Sequence, residues 1–497
     1  MGFTTTTFLF VFLPCLLVNY FVCSFVVNKI FKSSFHIDKY IIIIFSFIFY
    51  AWALNTTAIM LLALSLVIWL LGICIESTRT MFVPVQINKS ESKEVHNIDV
   101  ARIPLLVGVI LTILLLYHFK YYQIMAPIIS QYVYIDPNKY AAIIVPLGVS
   151  FISFSVISYF ADIYSGKATS GSFTDCLLYV FYFPKIVSGP IVLWRDFQPQ
   201  ICSRVISLDS IVTGFNLIAI GFAKKVILAD TFGAHADILK DANIDTATAW
   251  FAWLLYAMQI YYDFSGYSDI AIGVSRLFGF DIADNFNFPY RSTSITEFWR
   301  RWHISLGNFF KNYIYFALGG NRKGKERTLV NLFIVFVVTG IWHGAGMAYI
   351  IWGTLHGVCV VIERVVKDKN WYIKIPSFIK WMVTFFISAS AWQFFRYGGN
   401  GINAIGELAK LFGLNSSSGE IIYPLQYYAD NEVTALLIIG CLGATVLGNK
   451  YVVKAYNKIQ YNNIFYLLQE LFVLCLFIIS ISYMISSNYH PFIYFQF

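Results

Sequence analysis

Residues 56–76 read TTAIMLLALSLVIWLLGICIE, and the first charge in that stretch is Glu76. As a helix such a run reaches about 30 Å, the thickness of a bilayer's hydrocarbon core. A strand buried in a soluble core is never that long. Comparable runs recur in both directions. The span candidates are 4–27, 39–53, 56–76, 101–119, 140–163, 174–188, 208–228, 247–275, 328–344, 347–365, 376–394, 433–449 and 463–486. The alternation over about ten residues that marks an outer-membrane barrel is absent. Helices satisfy their own backbone in lipid, so the chain reads as all-α, a polytopic membrane helical bundle of about 11–13 helices, some re-entrant or interfacial.

Composition agrees. The 497 residues are 58% hydrophobic, 19% aromatic and 12% charged, with a mean hydropathy of +0.66. A soluble chain carries about 25% charged residues. The net charge of +8 comes from Lys and Arg in short connections and not from a basic tail, so it points to topology and not to nucleic acid. The eight cysteines form no CxxC and sit mostly in apolar runs, as small buried hydrophobes. No metal site is expected.

The segment from Thr4 has no basic region before it and no Ala-x-Ala after it, so it is read as a retained helix. Gly2 and Thr6 fit a myristoylation pattern, but they run straight into an apolar helix. Lys29, Lys32 and Lys39, then Arg79, Lys89 and Lys93, mark two basic connections. The link at Leu54-Asn55 between them is uncharged. The positive-inside rule then puts the N-terminus outside the cytoplasm. Two stretches interrupt the pattern. Residues 276–327 are too polar to span, and 396–432 contains a short amphipathic segment, Asn403 to Phe412, with Glu407 and Lys410 on one face, before a loop at 415–419. The whole chain, 1–497, reads as a single membrane domain.

Among the eight histidines, His36, His96 and His235 fall in loops, His118 ends a span, and His490 lies near the C-terminus. Three remain. His343 closes an apolar span in TGIWHGAG, residues 339–346, next to Trp342. An ionisable group there is costly and points to function. Gly340 and Gly344 let another backbone or a substrate approach, and an imidazole suits a general base at neutral pH. A packing histidine bonded to a carbonyl is the alternative. His356, before Gly357, repeats the pattern, and Gly346 breaks the helix between the two; a supporting or packing role fits it better.

His303 lies in TEFWRRWHISL, 296–306. Glu297 is at pairing distance from Arg300 or Arg301. The segment is either a surface anchor or, with Lys311, Asn312 and Arg322 downstream, a site for an anionic group. Asp263 and Asp269, inside an apolar span, need partners: the arginines of 291–301, or a histidine they orient. The chain has no P-loop, no GxSxG and no HExxH.

At these residues the sequence resembles the membrane-bound O-acyltransferase superfamily, in its alginate and peptidoglycan O-acetyltransferase branch. The likeness is carried by PKIVSGPI (184–191), GFAKKV (221–226), YDFSGYSD (262–269), NFNFPY (285–290), EFWRRWHISL (297–306), GGNR (319–322), WHG (342–344) and WQFFR (392–396). It runs from about 40 to 400, with extra C-terminal helices at 433–486. The resemblance implies a bundle around a transmembrane tunnel. It also implies an O-acyltransferase that passes an acyl group, on acetyl-CoA or another acyl thioester, from the cytoplasm to a hydroxyl of an exported or cell-envelope polysaccharide. The family's near-invariant histidine falls on His343, and its second polar position on His303. His356 has a counterpart, with Trp342, Asp263, Asp269 and Glu297 as supporting residues. Arg300, Arg301, Lys311, Asn312 and Arg322 are the candidates for donor binding. No bound cofactor is implied. The expected setting is the inner (plasma) membrane, with an extracytoplasmic acetyl-transferring partner protein. Transfer of D-alanyl groups to teichoic acid, and a non-catalytic acyl-export channel, are the alternatives.

Overall fold

The computed structural model describes residues 2–30, 36–53, 55–79, 82–89, 92–132, 145–399, 401–414 and 423–487. Lys32, Leu54, the start of the 140–163 span, the 415–419 loop and His490 lie outside them. The chain divides into two compact units, Met1–Ile206 and Ser207–Phe497.

The first unit contains α1 (Phe8–Phe25), α2 (Ile37–Ala53), α3 (Asn55–Thr78), α4 (Arg102–Tyr121), α5 (Val149–Tyr164) and α6 (Phe173–Phe181). Phe3, Phe8, Phe12, Phe49 and Phe183 form one aromatic knot, with centroids 4.9 to 6.4 Å apart. Two expectations change here. Within the connection 77–100, Phe82–Lys89 pairs antiparallel with Ser92–Asp99, so His96 lies on a strand and not in a loop, while the bundle itself is all-α. The stretch 174–188 is not one helix. It stops at Phe181 and restarts over Phe183–Ile186, because Pro184 has no N–H for the preceding turn and fits only at a helix start.

The second unit contains α7 (Leu208–Leu239), α8 (Thr246–Leu277), α9 (Ile295–Arg301), α10 (Ile304–Phe310), α11 (Lys325–His343), α12 (Met347–Val366), α13 (Ser377–Tyr397), α14 (Gly401–Lys410), α15 (Asn431–Thr445), α16 (Lys450–Ile459) and α17 (Asn463–Ser486). The 208–228 span continues through a widened π-turn at Ala223–Ala229 to Leu239, so His235 is helical and not in a loop. Among the described residues seven helices are long and apolar enough to cross a membrane, or eight if α15 and α16 count as one bent span. The protein is a multi-pass membrane protein.

The core of this unit is α8, 32 residues and about 48 Å long, with most of its side chains buried. Antiparallel α7 lies close against it along a glycine seam. A Cβ at Gly221 would stand 2.6 Å from the carbonyl oxygen of Gly266, and one at Gly214 would stand 2.9 Å from that of Gly273. Any side chain there would push the helices apart. The amphipathic segment read at 403–412 is helix α14, with Lys410 Nζ 2.6 Å from Glu407.

Candidate active site

The site starts from a helix hairpin. The run GAG, residues 344–346, cannot continue a helix, so α11 stops at His343 and α12 starts at Met347, as Gly346 led us to expect. The two helices then pack back on each other. A Cβ at Gly340 would sit 2.5 Å from the carbonyl oxygen of Tyr349 and 3.2 Å from the Cα of Gly353. The first glycine of each GxxxG pair is therefore spent on bringing the two helices together.

This close approach places two histidines on one indole. His343, 3% exposed, packs its ring 4.6 Å from Trp342, 4.9 Å from Phe395 and 5.1 Å from Trp352. His356, fully buried, stands 5.2 Å from the same indole, Trp352, and 5.0 Å from Trp299. Phe298, Phe336 and Trp392 complete its cage. Both ring nitrogens of His356 lack a hydrogen-bond partner among the described residues, and so do the indole N–H groups of Trp299 and Trp352. Buried polar atoms are rarely left this way.

His303 is held differently. It follows α9 in the left-handed region, φ 46°, and begins α10. Asn285 fixes it: Asn285 Nδ2 donates to Ser268 (3.1 Å), and its Oδ1 accepts from His303 Nδ1 (3.1 Å) and from the Ser305 hydroxyl (2.9 Å). The imidazole lies edge-on to Phe264, 4.6 Å away. Its Nε2 is buried with no partner among the described residues. Burial pushes its pKa down to about 3, so the ring is neutral and Nε2 carries a lone pair. The structure thus joins His343 to His356 through Trp352 and sets His303 on a separate ring.

The 296–306 segment is core and not a surface anchor: Phe298 and Trp302 are buried, stack on each other and pack against Trp392. Glu297 pairs with Arg301 at 2.9 Å. Burial works to raise its carboxyl, but hydrogen bonds from Thr293 and Arg301 outweigh that and hold it low. Among the described residues no ion pair joins Asp263 or Asp269 to the arginines of 291–301. Asp263 takes Lys225 at 2.9 Å, which also pairs with Asp230, and Asp269 takes Lys224 at 2.6 Å. The glycine seam brings these lysines into reach.

A cavity of about 440 Å³ opens beside this cluster. Thr328, Leu332, Phe336 and Thr339 of α11 and Val360 of α12 form its wall. Exposed Arg300, Lys311 and Arg364 line it too. Thr339 is one turn before His343 and Val360 one turn after His356, so both rows lead towards the histidines. Neither histidine lines the cavity itself; Trp299 and Phe336 stand between it and His356. Of the expected donor contacts, Arg300 and Lys311 face it. Arg301, Asn312 and Arg322 fall outside its lining.

Sequence reasoning missed Trp352, Glu363 and Arg364. The signal was the row 352, 356, 360 and 364, one face of α12 at four-residue steps. The Glu363 carboxylate accepts from the backbone N–H groups of Ile295 and Thr296 and from the Thr296 hydroxyl, at 2.5 to 2.8 Å, tying the start of α9 to the end of α12.

The profile of the MBOAT, membrane-bound O-acyltransferase family matches residues 41–397, which include all three histidines. The chain is 32% identical to the "Probable alginate O-acetylase AlgI" of Pseudomonas putida, over the full length of both. It is 31% identical to the "Peptidoglycan O-acetyltransferase" of Helicobacter pylori, covering 84% of this chain and 80% of the relative. It is 30% identical to the "Teichoic acid D-alanyltransferase" of Bacillus subtilis, over 45% of this chain and 60% of that one. The chain therefore belongs to the membrane-bound O-acyltransferase family and is a membrane acyltransferase.

Proposed function

We propose that this protein moves an acetyl group from a thioester to a hydroxyl of a cell-envelope or exported polysaccharide, with His343 as general base. The observation that carries the reading is the cavity whose wall climbs α11 to within one turn of His343 and whose other side presents Arg300, Lys311 and Arg364. Cations at such a rim suit the phosphates of acetyl-CoA or of another phosphate-bearing acyl carrier. The full-length likeness to a probable alginate O-acetylase supports a polysaccharide acceptor and an acetyl group. The shorter match to a D-alanyltransferase supports that alternative less.

In this scheme His343 removes the proton as the acceptor oxygen attacks the thioester carbonyl. The C–S bond breaks, and the leaving thiolate takes the proton back from the imidazolium. General base catalysis supplies about two to four orders of magnitude. Positioning in a water-poor cleft supplies more. His303, neutral and with Nε2 unpaired, orients the acceptor or polarises the carbonyl. His356 supports His343 through Trp352.

The family match crosses both compact units, which supports treating 1–497 as one functional membrane domain. The basic connections support a plasma-membrane protein with its N-terminus outside the cytoplasm. The same scheme includes an extracytoplasmic acetyl-transferring partner. The test is acetyl transfer from acetyl-CoA in membranes carrying the wild type, His343→Ala or His303→Ala, with mass spectrometry of the envelope polymers. Wild-type acetylation by His343→Ala at equal expression would remove the assignment.

A further inference from the structure

Between α15 and α17 lies a helix that neither the fold nor the proposed chemistry uses. α16, KYVVKAYNKI, is turned 87° from α15, and every one of its ten residues is exposed. A helix this short is marginal in water unless something covers one face. Its ends are deliberate. Asn449 caps it by accepting from the Tyr451 N–H at 3.0 Å, and Asn462 then caps α17. The Tyr456 hydroxyl donates to Gln469 at 3.0 Å and braces α16 against α17.

The residues divide cleanly around its axis. At 100° per residue Lys450, Lys454 and Lys458 fall within one third of the circumference, with Asn457 beside them. Val452, Val453, Ala455, Tyr456 and Ile459 take the opposite side. The next helix, α17, is one of the candidate spans and is mostly exposed to its surroundings. A right-angled, two-faced helix next to a span lies in the plane of the membrane surface, apolar side down.

We infer that α16 is an interfacial lipid-binding helix whose three lysines select anionic phospholipid headgroups. The apolar side sets the depth, and the lysine row, one per turn, faces the headgroup layer where negative charge gathers. Zwitterionic lipid satisfies the apolar side equally well, so the charge row is what discriminates.

The experiment uses the full-length purified chain, incubated with equal amounts of phosphatidylglycerol and phosphatidylcholine, with retained lipid read by mass spectrometry. The wild type keeps phosphatidylglycerol in excess. K450Q/K454Q/K458Q lowers that excess by at least about fivefold, the effect of a single lysine near an anionic surface. K450R/K454R/K458R keeps it, since the charge row is intact. An unchanged lipid ratio in the glutamine variant, or an equal loss in the arginine variant, overturns the inference. So does retention of an acidic soluble protein through these lysines in place of lipid.

Discussion

The lysine–aspartate cluster on α7 and α8 and the histidine–tryptophan cluster on α11 and α12 lie in the same compact unit, and both have buried centres, Lys225 with Asp230 and Asp263 in the first and His343, His356 and Trp352 in the second, while Lys224 and Asp269 are half-buried. In the first, every named charge has an opposite charge: Lys225 with Asp263 and Asp230, Lys224 with Asp269. In the second, the polar atoms of His356, Trp299 and Trp352 have no partner among the described residues, and aromatic rings surround them. A buried charge must be neutralised where it stands, or the fold fails. A neutral imidazole or indole left unpaired costs less, and it keeps a free lone pair or N–H for something that arrives later. The first cluster has the character of architecture; the second has the character that the proposed site requires.

The largest expected effects separate the two directly. His343→Ala lowers acetyl transfer by about 10²- to 10⁴-fold while the purified protein keeps its thermal midpoint and elution profile. Lys225→Met does the reverse. It leaves two carboxylates buried together, costs about 3–5 kcal/mol, and shows as loss of folded protein in detergent before any activity can be measured. If Lys225→Met were fully folded and only inactive, the lysine cluster would belong with the site and the contrast would collapse.

His303 gives an intermediate test. Its left-handed backbone tolerates Asn better than Ala, so His303→Asn removes the imidazole with the least strain. We expect about a tenfold loss of transfer in a folded protein. The pH behaviour carries a sign. The folded pKa, about 3, lies below the unfolded value near 6.5, so the unfolded chain binds a proton in that window and the folded chain does not. This contribution to stability is whole above about 6.5 and is lost as pH falls towards 3. In His303→Asn the acid loss of thermal stability over that window becomes shallower than in the wild type.

The contrast also shows what could be read from spacing. The spans, the break at Gly346 and the singling out of His303, His343 and His356 all follow from runs of apolar residues and from ionisable groups inside them. The partners of Asp263 and Asp269 do not. Lys224 and Lys225 lie about forty residues away in sequence, and only the glycine seam between α7 and α8 brings them close. The arginines of 291–301 were nearer along the chain but go elsewhere. Arg301 is held by Glu297, and Arg300 lines the cavity. Trp352 was hidden for another reason. Among many aromatic residues in apolar helices, one indole at a four-residue step from a histidine does not stand out until the hairpin brings His343 as well as His356 against it. The hairpin at 82–99 was read as a bare connection because its residues are too polar for a span.

The smallest expected effect tests whether the cavity belongs to the site at all. Glu363 and Arg364 are neighbours on α12, yet they act on different things: Arg364 lines the cavity, while Glu363 caps the first turn of α9 with three hydrogen bonds. α9 carries Trp299 and Arg300, both in the cavity lining. Glu363 is thus a positioning residue for that wall. Glu363→Gln keeps an acceptor oxygen and loses the charge, so it should raise the KM for acetyl-CoA about threefold, leave kcat nearly unchanged and not move the thermal midpoint. Glu363→Ala frees the start of α9 and should raise KM about tenfold. A residue that only stabilised the fold would lower the midpoint and the amount of active protein together, with KM constant. If both variants changed kcat and left KM alone, α9 would act on the chemistry and not on the donor. The cavity would then have to be separated from donor binding.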